Sequence, residues 1–155
     1  MMRVRIVSLL ALAIAVPAAA AAANSFFAAP PKPCFVTGKH AYRFATSGTA
    51  NFTVRIDNTA PHPNLRMQMV DDPATADFVL VDDGDSSAAC RDSGLVKSIR
   101  LDAGAAKPDL TVALSRKPAP YKLYVRSAAY SAQDAAALFA VMRRDTRGPE
   151  LAARD

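Results

Sequence analysis

The sequence predicts an α+β domain behind a cleaved signal peptide, built as a mainly antiparallel sheet of five or six strands covered by one C-terminal helix. Three observations carry that prediction. Basic, apolar and small residues follow one another in that order at the N-terminus. Short segments of period-two alternation recur between turns rich in Gly, Pro and Asp. The clearest stretch of helical periodicity lies near the C-terminus.

Arg3 and Arg5 precede an apolar run from Ile6 to Val16, and Pro17 and a string of alanines close it. A membrane-spanning helix needs roughly 20 apolar residues, so this shorter run reads as a secretory signal over residues 1–23, cut near Asn24. Residues 24–33 contain NSFFAAPPKP, a Pro-rich extended lead-in. One globular domain is expected over residues 34–147, followed by a tail over 148–155. The expected location is the periplasm or the outside of the cell. In either compartment two cysteines most simply pair, and a Cys34–Cys90 disulfide would close a loop worth about 4 kcal/mol of chain entropy.

Within the domain, residues 39–45 suit a short strand. Residues 51–58, NFTVRIDN, alternate Phe52, Val54 and Ile56 with Thr53, Arg55 and Asp57, the pattern of a strand with one buried face. Leu65, Met67 and Met69 repeat it. Asp72 before Pro73 predicts a helix cap with proline at the first helical position, and about one turn after it. FVLV at 78–81 is continuously apolar, which predicts a central strand covered on both faces. Segments 95–102, 108–115 and 120–127 follow as three strands, with Leu110, Val112, Leu114, Tyr121, Leu123 and Val125 facing inward. Their short connections argue for antiparallel neighbours. The helix begins at Ser131, where Asp134 completes a variant capping box, and Ala135, Leu138, Phe139 and Met142 form its apolar stripe.

The chain carries 19 Lys and Arg against 14 Asp and Glu, a net charge of +5 that falls to +3 once Arg3 and Arg5 leave. So mild an excess does not predict nucleic-acid binding. Two candidate sites stand out. Val-Asp-Asp occurs twice, ending at Asp72 and at Asp83. If the two preceding strands ran parallel, Asp71, Asp72, Asp82 and Asp83 would gather at one sheet edge as ligands for a hard divalent cation. The five or so residues between them are short for a parallel crossover, and capping and turn roles account for the same aspartates. The second candidate is a surface of Lys122, Tyr124 and Arg126, which alternation places together on the outer side of their strand.

His40 and His62 are the only histidines and lack zinc-ligand spacing, and no nucleophile elbow is present. Asn51-Phe52-Thr53 is a glycosylation sequon. No cofactor is implied. The expected function is a non-catalytic binding or accessory domain whose partner is a protein or an anionic envelope component. The alternative is a metal-dependent hydrolase using the four aspartates.

Overall fold

The computed structural model describes residues 34–37, 40–81 and 95–147. Its strands are β1 (Phe35–Thr37), β2 (His40–Phe44), β3 (Phe52–Ile56), β4 (Leu65–Met69), β5 (Phe78–Val81), β6 (Val96–Leu101), β7 (Leu110–Ser115) and β8 (Tyr121–Arg126). One helix follows, α1 (Ala132–Arg147). The segments lie where alternation placed them, but their assembly does not. All eight strands form a single sheet in the order β1-β2-β6-β3-β7-β4-β8-β5, and every pairing except β1 with β2 is parallel. The expected mainly antiparallel sheet of five or six strands is therefore wrong.

The reason lies in how consecutive strands are staggered. Phe44 at the end of β2 and Phe52 at the start of β3 flank the same residue, Ile99 of β6. Ile56 and Leu65 likewise flank Val112, Met69 and Phe78 flank Leu123, and Leu101 and Leu110 flank Val54. Each strand thus starts at the level where its predecessor stopped. A parallel crossover normally takes a dozen residues because the chain must travel back along the strand it has just left. Here it only steps sideways over one intervening strand, about 10 Å, which segments such as 57–64 and 70–77 can span. The two series β2 to β5 and β6 to β8 interleave as a result, so short loops join strands that run the same way.

Asx side chains seal these steps. Asn64 donates its own N–H to the Thr111 carbonyl at 2.8 Å, and its Oδ1 accepts from the Thr111 N–H at 2.7 Å. Asp77 makes the same pair of bonds with Lys122, and Asp109 makes it with Thr53. Asn51, inside the sequon, has its Oδ1 engaged by the N–H and hydroxyl of Ser98. Asn51, Asn64 and Asp77 follow one another at intervals of thirteen residues, a repeat carried by turn residues rather than by hydropathy.

FVLV is also relocated. β5 is an edge strand, not a central one, and Val79 is 45% exposed. Its unbroken apolar character arises because Phe78 and Leu80 face the core while Val79 lies against Tyr124 on the other side.

The sheet curls into a half-barrel. Rings from its two edge strands, Phe35 and Phe78, come to 6.3 Å between centroids. α1 packs on the concave side, chiefly against β7 and β6, with Ala135, Leu138 and Val141 fully buried. Its start is the expected capping box: the Asp134 carboxylate accepts from the Ser131 N–H at 2.8 Å, and the Asp134 N–H donates back to the Ser131 hydroxyl at 3.2 Å. The hub residues Val54, Met67, Ile99, Val112 and Leu123 are each nearly inaccessible beneath the helix or its neighbours.

Candidate anion-binding face

Because Cα partners in parallel strands point the same way, the strand registers assign each strand residue to the concave or the convex face. Val54, Ile99, Val112 and Leu123 mark the concave face, so the residues beside them in sequence point outward. That convex set contains Arg43, Arg100, Arg55, Arg66, Lys122 and Arg126, contributed by β2, β6, β3, β4 and β8. No Asp or Glu occurs in any of the eight strands. Among the described residues acids stand at the strand ends: Asp77 and Asp109 accept from the Lys122 and Thr53 N–H groups, and Asp57, one residue past β3, has its Oδ2 3.9 Å from the Arg55 Nε. That carboxylate is held below the usual carboxylate range first by the Thr59 hydroxyl and then by the Thr59 N–H, which it accepts at 2.7 and 2.9 Å. Both of those bonds fall on Oδ1, which leaves Oδ2 facing Arg55.

Between the cations the floor is small. Ser98, Thr111 and Ala113 point outward and are buried, level with Arg43, Arg55 and Arg66 on the neighbouring strands. Arg66 donates to the Ala60 and Pro61 carbonyls, and Arg55 donates to the Ala105 carbonyl at 3.2 Å. These bonds fix the guanidinium groups to loops without neutralising them. The Nε atoms of Arg55 and Arg100 are buried without a hydrogen-bond partner.

Lys122, Tyr124 and Arg126 fall on this face, with both cations exposed and Tyr124 half-buried beside Val79. Sequence reasoning missed Arg43, Arg55, Arg66 and Arg100 as members, since their strands are distant in the chain and only the interleaved topology makes them neighbours. The available signal was that the outward positions of the alternating segments carry Arg or Lys, while their acids, Asp57, Asp102 and Asp109, stand at segment ends.

The aspartate candidate divides. β4 and β5 are both parallel to β8, so they do run the same way, with β8 between them. Asp71 makes a bidentate pair with Arg116 at 3.0 and 3.2 Å, and the Asp72 side chain caps the 3-10 turn Pro73–Thr75 by accepting from the Ala74 N–H. Asp82 and Asp83 lie outside the described residues. Among the described residues no group of three or more His, Cys, Asp or Glu gathers.

Cys34 is buried, and its expected partner Cys90 lies outside the described residues, as do the signal segment, the lead-in and the tail. A titratable cluster on the concave side joins α1 to two strands: Asp145 pairs with Lys97 at 2.7 Å and accepts from the Tyr42 hydroxyl at 2.8 Å. Burial first, and Asp145 second, push the Tyr42 phenol well above its ordinary value. Among the described residues no helix is long and apolar enough to cross a membrane. No family model, curated protein or solved structure matches the chain.

Proposed function

We propose that the protein is an exported, non-catalytic binding domain of the periplasm or extracellular space, held by a Cys34–Cys90 disulfide, whose convex sheet face takes an anionic envelope component. The observation that carries this reading is the one-sided charge of the sheet: six outward cations and no acid within the strands. A face meant only for solvation would mix both signs to avoid self-repulsion. Guanidinium groups seated over small residues present planar donor forks, which match carboxylate, sulfate or phosphate.

The test is retention on an anionic resin followed by salt elution, comparing the native protein with the triple variant Arg43→Gln, Arg66→Gln, Lys122→Gln. The reading requires markedly earlier elution of the variant at unchanged melting temperature. Equal retention would overturn it. Mass spectrometry of protein recovered from its host tests the export component, which requires loss of the first twenty-odd residues and no alkylation of either cysteine before reduction.

A further inference from the structure

Resting on that reading, we infer that the convex face is shaped for one extended anionic polysaccharide, whose chain runs diagonally over the strands along Arg43, Arg100, Arg55, Arg66 and Lys122. The registers draw this line. Arg43 lies beside Ser98 of β6, and Arg100 is two residues further along that strand. Arg100 lies beside Thr53 of β3, and Arg55 is two residues further on. Arg55 lies beside Thr111 of β7, Ala113 follows two residues later, and Arg66 of β4 lies beside it. Gln68 is two residues past Arg66, and Lys122 of β8 lies beside Gln68. Each step between cations moves one strand across and two residues along, except that Arg55 to Arg66 crosses two strands for the same two residues.

With strands about 4.8 Å apart and a rise of about 3.3 Å per residue, neighbouring cations on this diagonal are roughly 8 Å apart. The step that passes over β7 is about 12 Å, and the whole stripe is roughly 35 Å long. The stagger that lets short loops connect parallel strands is what turns scattered arginines into a line.

Three features favour a linear, hydroxyl-rich chain. The corners between cations are Ser98, Thr53, Thr111, Ala113 and Gln68, small or polar, with no large apolar side chain to insert into a bilayer. Tyr42, Phe44, Phe52 and Tyr121 belong to the core on the opposite side, and Tyr124, at one end beyond Lys122, is the aromatic of these strands that shares the convex face, whereas single-stranded nucleic acids need a succession of stacking platforms. A convex surface meets a flat membrane only at its crest, whereas a narrow chain follows the curve. Along that path the unpartnered Nε donors of Arg55 and Arg100 occupy adjacent steps.

Carboxylated and sulfated glycans offer the same chemistry to guanidinium, so the experiment uses both: size-defined oligogalacturonates and heparin oligosaccharides, titrated calorimetrically into the full-length mature protein. Inositol hexakisphosphate and phosphatidylglycerol vesicles serve as compact and planar anions. The expected result is affinity that rises with oligosaccharide length until the chain reaches the stripe's span and then levels. Whichever series binds more tightly identifies the anionic group.

Each of the five Gln variants along the stripe should weaken the longest oligosaccharide about two- to fivefold, while Lys107→Gln, in the loop before β7, should not. If Arg100→Gln fails to fold, Arg66→Gln and Lys122→Gln decide the matter, since both are exposed positions. Affinity independent of length, or tighter binding of the hexakisphosphate or the vesicles, would overturn the linear-chain inference and leave an anion-binding face standing. Failure of every anion to bind would overturn both.

Discussion

The two faces of this sheet are built from the same strands and share the same stagger, yet they use it for opposite ends. On the concave face the stagger stacks Val54, Met67, Ile99, Val112 and Leu123 into a continuous floor for α1, and the charges there find partners: Lys97 meets Asp145, and Arg143 and Arg144 lie over the rings of Tyr121 and Phe52. On the convex face the same offsets line up cations that have almost no acid to meet. Burial decides the first face, and unpaired charge decides the second. The contrast teaches that the convex arginines are dispensable for folding in a way that the residues one position away are not.

Substitutions should separate the faces in a definite order of size. Ile99→Ala removes a fully buried side chain from between Phe44 and Phe52 and should cost about 2–5 kcal/mol in chemical denaturation. Its outward neighbour, Arg100→Lys, should cost less than about 0.5 kcal/mol, since it keeps the charge and the outward stem. Equal losses at the two positions would erase the distinction between the faces.

Asp145→Asn comes next, at about 1–3 kcal/mol, because it breaks a charge-assisted bond to Tyr42 and the pair with Lys97. It also carries a spectroscopic mark. Tyr42 ionises at higher pH when folded than its ordinary 10.0, so its contribution to stability is complete below that value and is lost as pH climbs beyond it. Denaturation curves should therefore weaken above about pH 10, and ultraviolet titration should find Tyr42 ionising late, and earlier in Asp145→Asn. A smaller effect is expected at the helix start, where Ser131→Ala removes the capping hydroxyl at a cost of about 1 kcal/mol. A comparable loss of about 0.5–1.5 kcal/mol is expected in Asn64→Ala, which leaves the N–H of buried Thr111 without its acceptor.

Local structure was readable from residues because its causes are local. Alternation in NFTVRIDN marks β3, Asp72 with Pro73 marks the 3-10 turn, and Ser131 with Asp134 marks the cap of α1. Strand direction was not readable, because loop length was taken to report it. The rule that short loops join antiparallel strands assumes that a parallel strand must restart at its predecessor's beginning. Here Leu65 restarts at the level of Ile56, and the assumption fails. The apolar run at 78–81 misled for a related reason. Val79 is apolar beside Tyr124 without being covered, so an edge strand resembled a central one. The binding face was half legible: Lys122, Tyr124 and Arg126 share one strand, whereas Arg43, Arg55, Arg66 and Arg100 become their neighbours only through the interleaving.

The account turns on the convex arginines being the groups that meet an anion. The direct measurement follows the Nε–H resonances of arginine side chains by NMR as an anionic oligosaccharide is added. Arg43, Arg55, Arg66 and Arg100 should shift together and saturably, while Arg116, Arg143 and Arg144 stay in place. Shifts confined to Arg116, Arg143 and Arg144, with the convex set unmoved at saturation, would contradict it.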